Sequence, residues 1–190
     1  MTTSTTSPSL RANLAAALLI ALGIAADQLS KLWVIANLPG RPRTLIPGAL
    51  SFVYAENRNM AFGLGKSIPE SVKSWGLILV TSALAIALAV LLVKTVDRKS
   101  RFALVLILSG AIGNIIDRVR LGYVVDFIYW HGGFSWPNFN LADSFICVGV
   151  GLMLIFLTRQ GPESDAAPRP PAATSSSKNA ALPAREGDAR

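Results

Sequence analysis

One cysteine and one histidine stand in a chain of 190 residues. Cys147 has no partner for a disulfide within the chain. No His/Cys cluster has metal-ligand spacing, so nothing supports a zinc peptidase. With His131 as the only imidazole, no Ser-His-Asp set is apparent either. Charge is equally scarce. Asp, Glu, Lys and Arg make up 15% of the chain, against roughly 25% in soluble domains. Hydrophobic residues supply 52%, and the mean hydropathy is +0.47. These values describe an integral membrane protein. The formal charge of +7 and a pI near 10.1 raise the question of nucleic acid. The basic residues, however, sit at the ends of apolar runs and in the C-terminal segment. That pattern orients membrane helices and contacts anionic lipid, so no nucleic-acid partner is expected.

What is present in abundance is apolar sequence, in four runs. The first covers residues 12–34, with no charge between Leu14 and Ala26. Arg11 followed by an apolar core resembles a signal peptide, but the run continues directly into Asp27-Gln-Leu-Ser-Lys31. It then has the roughly 20 residues a bilayer-spanning helix needs. The others cover 72–93, 102–121 and 141–157. Between the second and third, Lys94-Thr-Val-Asp-Arg98-Lys99-Ser-Arg101 forms a basic turn that the positive-inside rule keeps cytoplasmic. Four spans then place both termini in the cytoplasm and residues 37–71 outside. Residues 1–10 and 161–190 are polar or Pro/Ala/Ser-rich and are expected to be disordered tails. The membrane domain would occupy 11–160. Cys147, inside an apolar run, reads as a small buried hydrophobe.

The outer loop carries turn signals at Pro39-Gly40-Arg-Pro42 and Pro47-Gly48. Residues 49–56 have strand composition, and 68–75 suit the start of a short interfacial helix. The expected fold is mainly α: four transmembrane helices, a small extracytoplasmic β-cradle and that short interfacial helix. The 37–71 loop is the natural lid.

Two lone acids stand out. Asp126 lies in Gly122-Tyr-Val-Val-Asp-Phe-Ile128, and Asp143 in Asn138-Phe-Asn-Leu-Ala-Asp-Ser144. The segment between them is short, aromatic and turn-rich, so a strand, a turn and a helix start would fold back and let the carboxyls meet. Two close carboxyls in a poorly solvated site hold one proton near neutral pH. An aspartic peptidase requires that state: one carboxylate activates water and the other carboxyl polarises the scissile carbonyl. Asn140 suits an N-cap. Asp143 then sits in the first helical turn, where the dipole favours its ionised form, leaving Asp126 as the proton carrier. The plainer reading, a helix cap and a strand-end acid, stays open on spacing alone. So do a proton-coupled transporter and a non-catalytic scaffold.

Further polar residues cluster near span ends. Asp27 and Lys31, at i and i+4, make either an intrahelical ion pair or an anchor for other elements. Asn114, Asp117 and Arg118 fall near one face of the third span, serving a site or plain interfacial snorkelling.

Taken together these motifs resemble the lipoprotein signal peptidase (signal peptidase II) family, membrane aspartic peptidases of bacteria, over residues 14–157. Asp27-Gln-Leu-Ser-Lys31, Asn57-Arg-Asn-Met-Ala-Phe-Gly63, Gly110-Ala-Ile-Gly-Asn114-Ile-Ile-Asp-Arg118, Gly122-Tyr-Val-Val-Asp126-Phe and Phe139-Asn140-Leu-Ala-Asp143-Ser occur in the family's order. The resemblance implies a catalytic dyad of Asp126 and Asp143. Asp27, Lys31, Asn57, Asn114, Arg118 and Asn140 would support the dyad or bind substrate, and Asp117 would lie outside the dyad. It implies cleavage of diacylglyceryl-modified prolipoproteins just before the lipidated cysteine, inhibition by globomycin-type peptides, and no metal or organic cofactor. The protein would be a monomer in the bacterial inner membrane, with its site at the extracytoplasmic face. One departure is Asn59, where family members usually have glycine.

Overall fold

The computed structural model describes residues 8–58 and 70–159. In chain order they form α1 (Leu10–Asn37), β1 (Arg43–Ile46), β2 (Leu50–Asn57), α2 (Glu70–Lys94), α3 (Arg98–Leu121), β3 (Val124–Trp130) and α4 (Leu141–Arg159). Four helices are long and apolar enough to cross a membrane. They coincide with the four apolar runs, each lengthened by its caps. Ser9 starts α1 by accepting the Ala12 N–H at 3.3 Å, and Pro39 follows its end. Asp97 starts α3 by accepting the Ser100 N–H at 2.7 Å. Gly122 stops α3 in the left-handed conformation, φ 80°, and its N–H returns to the Arg118 carbonyl at 3.0 Å. Only that reversal lets the chain leave the helix and enter β3 two residues later.

The helices divide the work of burial unevenly. Of the most apolar window of α3, 56% is buried, against 11% in each of the others. α3 is therefore the central post, with α1, α2 and α4 around it. Ala16, Ala85, Leu92, Leu104, Val105 and Leu108 pack where α1, α2 and α3 meet. The outer faces, such as Leu18, Leu79, Ile86 and Leu154, are exposed, as a lipid-facing surface requires. Cys147 is also exposed on α4, contrary to the expectation of a buried residue. In a bilayer the outward face is as apolar as the core, so hydropathy does not tell the two apart.

Above one end of the bundle lies a three-stranded antiparallel sheet in the order β1-β2-β3. β2 fulfils the strand expected over 49–56. β1 was not foreseen, because its four residues are all exposed and show no alternation. Val34, Leu38, Val125 and Phe127 bind the sheet to the ends of α1 and α3, and the Phe52 and Phe127 rings meet edge to face at 5.6 Å. After β3 the chain doubles back. Phe127 and Ile128 N–H donate to the Phe139 carbonyl at 3.0 and 2.8 Å, and Phe139 N–H donates to the Ile128 carbonyl at 3.1 Å. This clasp sets the start of α4 beside β3. The helix expected to begin over 68–75 runs, from Glu70 onward, continuously into the second span. Residues 59–69, including Asn59 and the last part of the expected 37–71 lid, lie outside the described residues, as do 1–7 and 160–190.

At the opposite end of the bundle Arg101 is buried. Its guanidinium donates to the carbonyls of Leu92 (2.8 Å), Thr95 (3.0 Å) and Ala12 (3.0 Å) and to Asn13 Oδ1 (2.9 Å). One side chain thus ties α1, α2 and α3 together.

α3 and α4 approach so closely that a Cβ at Gly110 would overlap the Ala142 carbonyl oxygen. Gly110→Ala is expected to lower stability by about 1–3 kcal/mol, as overpacking against backbone does. Gly151→Ala, whose Cβ would meet nothing within 4 Å, is the control. Melting temperatures of both variants in detergent test the difference.

Candidate active site

The polar centre is built from the ends of α1 and α3. Lys31 and Asp27 are one turn apart on α1, and both are fully buried. The ammonium has three protons, and each finds an acceptor: Asp27 Oδ2 at 2.9 Å, Asp117 Oδ2 at 2.9 Å and Asn114 Oδ1 at 3.0 Å. An ion taken out of water costs several kcal/mol, and only such saturation offsets it. Two carboxylates around one ammonium leave an excess negative charge, which backbone dipoles absorb. Asp27 Oδ1 accepts the Ala142 N–H at 3.0 Å, at the positive end of α4. Asp117 Oδ2 accepts the Val125 N–H at 3.1 Å, next to Asp126. The Gln28 amide donates to Asp27, Asp117 and the Gly113 carbonyl at 3.0–3.2 Å. The hub therefore fixes the backbone that carries each candidate acid. Asp27 and Lys31 form the anchor, not merely an intrahelical pair.

Asn140 joins the two acids. Its Nδ2 donates to Asp126 Oδ1 at 2.7 Å and to Asn114 Oδ1 at 3.2 Å. Its backbone N–H donates to Asp143 Oδ2 at 3.3 Å, while Asp143 N–H returns to Asn140 Oδ1 at 2.9 Å. This is a capping box with aspartate as the reciprocal partner, so the expected N-cap is present. Asn114 Nδ2 donates to Asp143 Oδ1 at 2.7 Å. Asn57, at the end of β2, donates to Asp126 Oδ2 at 2.9 Å. Every oxygen of the pair thus accepts an amide hydrogen bond. Asp126 is 2% exposed and Asp143 half-buried, so the pair opens on the Asp143 side. Burial, with the Asp143 charge adding to it, outweighs the two amide donors and pushes the Asp126 pKa up to about 7.

All the residues expected at the site gather here, with Arg118 at the edge. Its hydrogen bond is a long one, 3.5 Å, to the Asn114 carbonyl, and it makes no ion pair among the described residues. Asp117 has a larger part than its spacing alone disclosed, and Gln28 was not singled out at all. Gln28 follows Asp27 in the first motif, and its helix position beside an inward-facing acid was the signal available.

The fold and site define a polytopic membrane protein with a paired-carboxylate centre, a class that includes membrane aspartic peptidases. A family model described as Signal peptidase (SPase) II matches residues 19–159. The lipoprotein signal peptidase of Clostridium tetani (strain Massachusetts / E88) is 38% identical over 153 residues, 78% of this chain and 95% of that protein. That of Bartonella tribocorum (strain CIP 105476 / IBS 506) is 45% identical over 134 residues, 68% and 77% of the two. A bacterial membrane enzyme solved by the in meso method at 2.3 Å resolution superposes with a TM-score of 0.71 at 27% identity, over 86% of this chain and 98% of that one. The chain belongs to the signal peptidase II family and is a membrane peptidase.

Removing the ammonium strands two buried carboxylates. Lys31→Met is expected to destabilise the protein by about 3–5 kcal/mol. Thermal unfolding in detergent checks this. A loss below about 1 kcal/mol would mean that the hub does not anchor the helix ends.

Proposed function

We propose that Asp126 and Asp143 are the catalytic pair with which this signal peptidase II cuts diacylglyceryl-modified prolipoproteins, just before the lipidated cysteine. The observation that carries the reading is Asn140, which hydrogen-bonds both carboxyls while capping α4. Asp143 is the member that activates water, held by Asn114 and by backbone at the start of α4. Asp126, the more buried, holds the proton.

In the reaction Asp143 takes a proton from water, whose oxygen attacks the carbonyl carbon preceding the lipidated cysteine. Asp126 gives its proton to the carbonyl oxygen, forming a gem-diol. Asp143 then passes its proton to the cysteine nitrogen as the C–N bond breaks, and Asp126 recovers a proton from the collapsing diol. Signal peptide and lipoprotein leave with one water consumed.

The remaining residues have supporting parts. Asn57, Asn114 and Asn140 orient the pair, while Asp27 and Lys31 hold its backbone. Arg118, at the edge with only a long hydrogen bond, binds a substrate carbonyl. The substrate's geometry suits the site's depth: the signal peptide spans the membrane and the acyl chains insert, so the scissile bond lies at the surface, level with the helix ends.

The basic turn at 94–101 supports an inner-membrane topology with cytoplasmic termini and an extracytoplasmic site. The working unit is a monomer, and globomycin-type peptides inhibit it.

Cleavage of a diacylglyceryl prolipoprotein by purified protein tests the assignment. Asp126→Asn and Asp143→Asn should each lose activity about 10³-fold or more while staying folded. Near-normal activity in either variant removes that residue from the pair.

A pH dependence also follows. The Asp126 carboxyl, with its pKa raised from 3.8 to about 7, binds its proton more tightly folded than unfolded. Its contribution to stability is full below about 4 and is lost as pH rises toward about 7. Activity should fall over the upper part of that range as the proton leaves. Chemical unfolding and rate profiles should both show this in wild type, and the stability change should be absent from Asp126→Asn.

A further inference from the structure

We propose that a cavity at the end of the bundle opposite the candidate active site binds the headgroup phosphate of an anionic phospholipid. The cavity, about 540 Å³, lies between the first turns of α1, the α2–α3 turn and the start of α3. That volume falls within the range of small-molecule sites, about 300–1,000 Å³. Its wall includes Ala12, Ala15, Leu19 and Phe102, with Arg98 and Arg101 at the polar part.

Charge is the first argument. Arg101 is 6% exposed, yet its four partners are neutral oxygens. Among the described residues it makes no ion pair, and its Nε–H takes no partner. Buried charges ordinarily have a counterion, and the Lys31 hub of this same protein has two. Arg11, Lys94, Arg98 and Lys99 are exposed at this end. Among the described residues Asp97 is the acid nearby along the chain, and it is engaged with the Ser100 N–H. An anion in the cavity supplies what Arg101 lacks.

The walls decide which anion. Leu19 and Phe102 are 47% and 50% exposed and belong to helices that face lipid. A soluble phosphate gains nothing from them. A phospholipid lays its upper acyl chain along them while its phosphate meets Arg98 and Arg101. Basic pockets between transmembrane helices at the membrane surface recognise headgroups in this way. The lipid would then brace the Arg101 bracket joining three helices.

The full-length protein, purified in neutral detergent, is incubated with phosphatidylglycerol, phosphatidylcholine or inorganic phosphate. Retained lipid is read by native mass spectrometry, and the melting temperature is followed alongside. Wild type should retain phosphatidylglycerol over phosphatidylcholine and melt higher with it. Ala15→Phe, which fills the cavity from an exposed position, should abolish both effects. Arg98→Gln should weaken retention about fivefold, the attraction of one basic side chain. Equal retention of both lipids, or undiminished retention in both variants, overturns the proposal. An equal rise in melting temperature with inorganic phosphate overturns the lipid assignment.

Discussion

The three hydrogen bonds of a single buried ammonium hold the candidate active end of this molecule together. Lys31 can lie there only because Asp27, Asp117 and Asn114 take all its protons. Those acids can lie there only because Lys31 and the backbone N–H groups of Ala142 and Val125 take their charge. The backbone groups are not incidental. Val125 precedes Asp126, and Ala142 precedes Asp143. A sealed charge cluster is thereby converted into positional control of two side chains from different elements. Substituting apolar residues for such a cluster is often neutral or better for stability, so its use here lies in where it puts β3 and α4.

The candidate pair sits in a graded environment. The hub behind it is fully buried. Asp126 is nearly as enclosed and faces amides from β2 and from the α4 cap. Asp143 is half-open. Burial raises the proton affinity of the enclosed Asp126, whose pKa is pushed up to about 7. Three asparagines supply the hydrogen bonds to the pair's side-chain oxygens. An amide donates without adding charge, so it orients a carboxyl while shifting its proton affinity less than a cation would.

Much of this was legible in the sequence because each signal has a local cause. The spans follow from run length, the α4 cap from Asn140 and Asp143 three residues apart, and the meeting of the acids from the turn-rich segment between β3 and α4. β1 was not legible, since four exposed residues carry no period. The outward placement of Cys147 is not encoded in hydropathy, because lipid and core are equally apolar. The part played by Asp117 was half visible. Its face was right, but that it would share Lys31 with an acid 90 residues earlier depends on helix packing, which no spacing encodes. Gln28 was invisible for the same reason.

The proposed chemistry depends on one proton held by the pair near neutral pH, and infrared difference spectroscopy across a pH titration measures it directly. The expected result is a protonated carboxyl band below neutrality, titrating with a midpoint near 7, absent from Asp126→Asn and retained at a shifted midpoint in Asp143→Asn. A band that persists unchanged in Asp126→Asn, or no protonated carboxyl at all just below neutral pH, would contradict it.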